Sequence, residues 1–276
     1  MDMAEVFGKM VDAISANVPP ADNTYVGDDG LLRCSVCHKK VQTRINVESM
    51  GINKIVRCIC ACKNREIDEQ VQRQKSNEQR SRCFGGQMEM ANWTFENDDR
   101  KNAKLSAAME RYAENFGDFL KEGKGLLLYG TVGTGKSYYA ACIANRLIDK
   151  GRRVKMTNFS TLINKIQATF EGKQEIIDDL NRYPLLIIDD LGAERQSEYM
   201  QEMVFNIIDA RYRAGLPMIV TTNLTAEEIK KPQEVRYARI YDRIIERCFP
   251  VEISGVSRRR QHVKETFGDI KDRLGL

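Results

Sequence analysis

Eight consecutive residues, Gly130-Thr131-Val132-Gly133-Thr134-Gly135-Lys136-Ser137, fit the pattern G-x-x-x-x-G-K-[ST] without a mismatch. Their flanks restrict the fold further. Leu126 to Tyr129 reads as a short buried strand entering the loop. Ser137 to Lys150 reads as the helix leaving it, with Ala140, Ala141, Ile143, Ala144, Leu147 and Ile148 as its apolar stripe. Glycines at 130, 133 and 135 let backbone N–H groups turn inward around phosphate oxygens, at a helix N-terminus that already favours anions. Lys136 then reaches the β- and γ-phosphates, and the Ser137 hydroxyl is placed to ligate Mg²⁺. Thr131, Val132 and Thr134 complete the loop, and Tyr138 is the next candidate contact along the helix. The pattern implies a bound nucleoside triphosphate.

Strand-like and helix-like segments alternate from Trp93 onward, which predicts an α/β fold with a parallel sheet. Val154–Thr157 reads as a strand and 159–170 as a helix. Leu185-Leu186-Ile187-Ile188 is a buried strand ending in Asp189-Asp190. Met218–Thr222 is another, ending at Asn223, and Val251–Ile253 a last one. In open parallel sheets ligands bind at the carboxyl ends of strands, so Asp189, Asp190 and Asn223 are expected to face the phosphate loop. Asp189 fits the Mg²⁺-holding acid of a Walker B strand, and Asp190 the acid that polarises the attacking water. Asn223 suits orientation of that water or of the γ-phosphate.

The N-terminal third has a different character. Cys34-x-x-Cys37, twenty intervening residues, then Cys58-x-Cys60-x-Cys62 approach zinc-ribbon spacing. Five cysteines offer four Zn²⁺ ligand places, so Cys58, Cys60 and Cys62 compete for two. His38 sits beside Cys37, a poor bite. Between Arg33 and Arg65 eight basic residues face a single acid, Glu48; a Zn(Cys)₄ centre of net −2 charge supplies an internal partner for them. A module this small needs a metal to fold. Cys83, Cys142 and Cys248 read as packing residues. Residues 1–65 therefore form an N-terminal helix and zinc-binding module, 66–91 a polar helical linker, and 92–276 the ATP-binding domain.

No apolar run is long enough to span a bilayer, and Met1–Asn17 lacks the apolar core of a signal peptide. Clustered cysteines then point to a reducing cytoplasm and to metal rather than disulfides. The net charge of +4 is too mild to define a partner.

Taken in order, these motifs resemble those of the AAA+ ATPases, and more closely the DnaC/DnaI-type loaders of replicative helicases and their IstB-type transposition relatives. The residues that carry the resemblance are Leu185-Leu-Ile-Ile-Asp-Asp-Leu-Gly-Ala-Glu194, Val220-Thr-Thr-Asn-Leu224 and Arg239-Ile-Tyr-Asp-Arg-Ile-Ile-Glu-Arg247, with Trp93-Thr-Phe-Glu-Asn97 leading in. The resemblance covers residues 92 to about 265. It implies an AAA+ P-loop sheet, slow ATP hydrolysis suited to a switch, and a cytoplasmic protein of a bacterium or phage that binds a replicative helicase and single-stranded DNA. It makes Arg243 a finger that completes a neighbouring subunit's site, with Arg247 as rival, and so implies self-association. It places Arg259, with Arg258 close behind, as the "sensor 2" arginine on the nucleotide. Lys155, Asn158, Phe159 and Lys165 fall in the region the resemblance turns toward DNA, although Phe159 is also a natural core position. The second Walker B acid departs from the common Asp-Glu of AAA+ proteins. An IstB-like ATPase that remodels target DNA for a transposase is the alternative. A small-molecule kinase has no use for a finger such as Arg243.

Overall fold

The structure, a computed structural model, describes residues 2–168, 172–192, 198–232 and 234–258, and 267, 271, 273 and 274. The chain divides into two compact units, Met1–Lys75 and Ser76–Leu276.

In the first unit α1, Met3–Asn17, begins at Asp2, whose carboxylate accepts the Ala4 N–H at 3.3 Å, an ordinary N-cap. Two antiparallel hairpins follow, which the sequence reading did not resolve: β1 (Thr24–Val26) with β2 (Leu32–Cys34), and β3 (Gln42–Val47) with β4 (Ile52–Arg57). Charged residues dilute their alternation, and that hides them from a periodicity argument. Helix α1 buries Gly8 and Val11. Lys54 on β4 reaches the Gly8 carbonyl at 3.3 Å and Asp12 at 2.6 Å. One buried cluster of this unit is rich in sulfur: Cys34 and Cys60 are buried with Val41, and Cys37 and Cys62 pack against them.

The second unit holds a five-stranded parallel sheet. Its strands are β5 (Gly125–Tyr129), β6 (Val154–Asn158), β7 (Leu185–Leu191), β8 (Met218–Thr222) and β9 (Cys248–Glu252), in the order β6-β7-β8-β5-β9. The last strand starts at Cys248, three residues before the expected 251, because Gly125 to Tyr129 pair with Cys248 to Glu252 in register. Successive strand residues face opposite sides. Leu126 and Leu128 therefore join the core under α3 (Ala103–Glu114) and α5 (Lys136–Asp149). Leu127, Leu186 and Ile188 join the other core, beneath α6 (Phe159–Gln167), α8 (Glu198–Arg213) and α10 (Val235–Arg247). Helices cover both faces, so the strands read as continuous apolar runs.

After β4 in the chain, α2 (Ala61–Phe84) runs for 24 residues and buries only Cys83 and Phe84. The polar helical stretch expected from residue 66 begins five residues earlier, at Ala61, so that its first turn falls within the cysteine motif.

Of the four residues in the region the resemblance turns toward DNA, three have places or partners within the chain. Phe159 is 1% exposed and belongs to the core. Half-buried Lys155 donates to the Arg82 carbonyl at 2.7 Å. Asn158 is the N-cap of α6, accepting the Thr161 N–H at 2.8 Å. Of that set only Lys165 is exposed. Arg259 and Glu194 lie outside the described residues, as do residues 169–171 at the end of the helix expected over 159–170.

Candidate nucleotide site and metal centre

The phosphate loop joins β5 to α5 and is packed from behind by the segment after β9. Gly130 has φ +138°, and a Cβ there would meet the Ile253 carbonyl oxygen at 2.4 Å. Gly133, φ +84°, would meet the Ser257 hydroxyl at 2.2 Å. The positive φ favours glycine at both positions, and at Gly130 the backbone carbonyl also leaves no room for a Cβ. The Arg258 N–H donates to the Gly133 carbonyl at 2.9 Å, completing the seam. Lys136 is buried and donates to the carbonyls of Gly130 and Thr131 at 2.8 and 2.7 Å. Thr134 braces the loop through Oγ1 to the Thr131 carbonyl at 2.9 Å. Val132 is exposed at its tip.

Beside Lys136 the two acids and their partners meet. The Ser137 hydroxyl donates to Asp189 Oδ1 at 2.8 Å, and Thr221 Oγ1 donates to the same oxygen at 2.6 Å. Asp190, at φ +62°, places its N–H 2.8 Å from Thr221 Oγ1. Asn223 Nδ2 donates to Asp190 Oδ1 at 2.6 Å. With Gly133, Gly135, Lys136, Ser137 and Tyr138, these residues line a cavity of about 430 Å³. Its far wall is Glu89 and Trp93. Trp93 lies tilted against Tyr138 with ring centroids 5.9 Å apart, and Tyr138 donates to the Thr94 carbonyl at 2.9 Å. Buried Asn145 pins this wall by donating to the carbonyls of Met90 and Trp93, both at 2.8 Å.

Arg258 lines this cavity and also a second one of about 290 Å³ on the other side of the loop, formed with Thr134, Tyr139, Asn102 and Ile253. Its guanidinium stands 3.2 Å from Asp99 and 3.7 Å from Asp98, over the Tyr138 ring. Thr221, Asn145, Trp93 and Arg258 were not singled out as primary site residues. Thr221 had a signal, its place two before Asn223 at the end of a buried strand. Asn145 had none, since a polar residue within a helical stripe says nothing of its partners.

Arg243 is not among the residues lining either cavity. It lies on α10, where Nε donates to Asp209 Oδ1 at 2.7 Å and the guanidinium sits 4.6 Å from the Phe205 ring centroid. Glu246, three residues further along α10, accepts from the Tyr212 hydroxyl at 2.9 Å. Arg247 packs over the Tyr212 ring.

In the first unit the Sγ atoms of Cys34, Cys37, Cys60 and Cys62 all lie within 4.8 Å of one another. Four thiolates on one Zn²⁺, at about 2.3 Å each, stand roughly 3.8 Å apart, so the set fits a tetrahedral ion. Backbone amides already favour thiolate at two positions. Those of Cys37 and Val36 lower the Cys34 thiol, and those of Cys62 and Lys39 lower that of Cys37. Hydrogen bonds to Cys60, Cys34 and Cys37 raise the Cys62 thiol, the expected response of neighbours sharing protons that a cation displaces. Cys58 is the fifth candidate, and the structure sets it apart: its thiol turns to the Lys40 carbonyl at 3.4 Å. Cys58 and Cys60 lie in the irregular segment between β4 and α2, and Cys62 lies in the first turn of α2. His38 is also outside the cluster, with its ring 3.1 Å from the Tyr25 hydroxyl. Cys83, Cys142 and Cys248 are buried, and burial pushes each thiol up to about 12, which leaves them unreactive.

A parallel sheet with a phosphate loop after β5, paired acids ending β7 and a polar residue beyond β8 defines an ATP-binding protein of AAA+ architecture. The chain belongs to the IstB-like ATP binding protein family, whose profile matches residues 36–266. It is 25% identical over 211 residues to the replicative helicase loader DnaI of Bacillus subtilis (strain 168), covering 70% of this chain and 67% of DnaI. It is 28% identical over 146 residues to the replicative helicase loader DnaC of Escherichia coli (strain K12), covering 51% of this chain and 57% of DnaC. The chain thus aligns with little more than half of DnaC's length. The crystal structure of DnaI superposes with a TM-score of 0.52 at 27% identity, covering 62% of this chain and 93% of that one. The crystal structure of the DnaC helicase loader gives the same TM-score at 24% identity, a likeness of fold. Among the described residues no helix is long and apolar enough to cross a membrane.

Proposed function

We propose that this protein is an ATP-switched loader that delivers a replicative DNA helicase to single-stranded DNA. The observation that carries the ATP switch is the single cavity where Lys136, Ser137, Asp189, Asp190 and Asn223 converge. The likeness to DnaI and DnaC, both named replicative helicase loaders, supports the choice of partner over a transposase.

In this reading the loop amides and Lys136 bind the phosphates, exchanging the carbonyls of Gly130 and Thr131 for phosphate oxygens. Ser137 and Asp189 would hold Mg²⁺, which supplies charge neutralisation across the β- and γ-phosphates. Asp190 accepts a proton from the attacking water, and Asn223 keeps that carboxylate aimed. Arg258 bridges the phosphate side to the second cavity, which suits the nucleoside, and is the described candidate for the sensor 2 role expected of Arg259. Arg243 serves a neighbouring subunit's γ-phosphate, because a guanidinium supplied in trans stabilises charge on the transferring group.

The first unit is the docking module, held together by one Zn²⁺ on Cys34, Cys37, Cys60 and Cys62. Helix α1 leaves Met3, Val6, Met10 and Ile14 exposed, at i, i+3, i+7 and i+11. That spacing makes a single apolar stripe suited to a helical face on the helicase.

The test is co-purification with the host's replicative helicase, followed by loading of that helicase onto circular single-stranded DNA with ATP, ADP or no nucleotide. Loading that requires ATP and Lys136 is expected. Association with a transposase in place of the helicase would replace this reading with the transposition one.

A further inference from the structure

Consecutive residues of a strand point to opposite faces, yet Asp189 and Asp190 both line the same cavity. The register explains how. Ile188 pairs with Val220 and Leu191 with Thr222, so two residues of β7 stand opposite one of β8, Thr221. This is a β-bulge, which re-aims side chains and interrupts the ladder. Asp190 takes the left-handed conformation there, φ +62°, a strained choice for a residue with a Cβ. Leu191 then returns to the core at 1% exposure.

A bulge leaves backbone groups without ladder partners, and a buried side chain fills this one. Thr221 is 1% exposed. Its Oγ1 accepts the Asp190 N–H at 2.8 Å and donates its only proton to Asp189 Oδ1 at 2.6 Å. A hydroxyl is the group that can do both at once. Asp189 Oδ1, already accepting from Ser137 at 2.8 Å, is thereby fixed by two donors, and Oδ2 is the oxygen left to turn toward the cavity.

We infer that Thr221 is the positioning residue of the acid pair: its hydroxyl holds the bulge that brings Asp189 and Asp190 to one face and orients both. This rests on the assignment of Asp189 to Mg²⁺ and Asp190 to water.

The test compares Thr221→Val, of equal shape without the hydroxyl, with Thr221→Ser, which keeps the hydroxyl and loses the methyl, in the full chain. Without nucleotide, amide hydrogen exchange at Asp190 should quicken by at least about tenfold in Thr221→Val and stay within about twofold of wild type in Thr221→Ser, since only the valine removes the acceptor. Next, the affinity for a fluorescent ATP analogue is measured with and without Mg²⁺. The tightening by Mg²⁺ should shrink in Thr221→Val, as in Asp189→Asn, and return in Thr221→Ser. Wild-type exchange and wild-type Mg²⁺ response in Thr221→Val would overturn the inference, and so would a serine variant as impaired as the valine one. An Asp189→Asn protein with unchanged Mg²⁺ response would overturn the metal assignment instead, while exchange at Asp190 would still judge the role of Thr221 in the bulge.

Discussion

Asn223 donates from Nδ2 to Oδ1 of Asp190 at 2.6 Å, so the acid proposed to polarise water is held by a side chain at the end of β8, a strand three later than β5 in sequence order but adjacent to it in the sheet. Order β7-β8-β5 makes this possible: the end of β8 lies between the acids and the loop.

Removing that hold should affect turnover more than binding. Asn223→Ala and Asp190→Asn are each expected to lower kcat for ATP by about 100-fold, with KM changed by less than about threefold, because the interaction matters where charge develops. Lys136→Ala should instead weaken ATP affinity by tenfold or more, roughly the loss of one charge-assisted contact. Steady-state kinetics and equilibrium nucleotide titration separate the two effects.

Arg243 should act between subunits. Mixing Arg243→Ala protein with Lys136→Ala protein is expected to restore part of the ATPase activity that neither shows alone, since some junctions then pair an intact cavity with an intact finger. The specific activity of wild type should also rise with protein concentration. A rate per chain independent of concentration would identify a monomeric ATPase.

The metal centre makes an elemental prediction. Freshly purified protein should contain one zinc per chain, and chelation should unfold residues 31–62 while the second unit keeps its thermal midpoint. Cys58→Ser should retain the zinc. Cys60→Ser should lower zinc affinity by more than the ~10–100-fold typical of losing a residue outside the ligand set.

Arg211 offers a test of the fold itself. It is fully buried and donates to the carbonyls of Pro217, Tyr183, Pro184 and Leu180 at 2.7 to 3.3 Å, tying the approach to β7 to the approach to β8. Arg211→Ala leaves these oxygens unsatisfied and is expected to cost about 3–5 kcal/mol, a fall in Tm of roughly 10–15 °C by calorimetry.

Much of the nucleotide site was legible because phosphate loops, apolar strands and strand-end acids are local patterns with fixed chemistry. Lys136, Ser137, Asp189, Asp190 and Asn223 all converge as the strand-end rule requires. What escaped was set by register and by partners distant in sequence. The bulge opposite Thr221 cannot be read from Ile188-Asp189-Asp190-Leu191, because nothing in those residues says that one of them lacks a partner. Cys58 and Cys60 are indistinguishable by type, and only the path from β4 into α2 separates them. Phe159 satisfied two patterns at once, and burial decided between them.

The seam between the phosphate loop and the segment after β9 carries a thermodynamic consequence. The Arg258 N–H bonds the Gly133 carbonyl, and Gly130 lies close against the Ile253 backbone, so the loop and that segment are coupled. Linkage then works in both directions. Any contact from outside that changes the affinity for ATP through residues 253–258 must have its own affinity changed by ATP by the same factor.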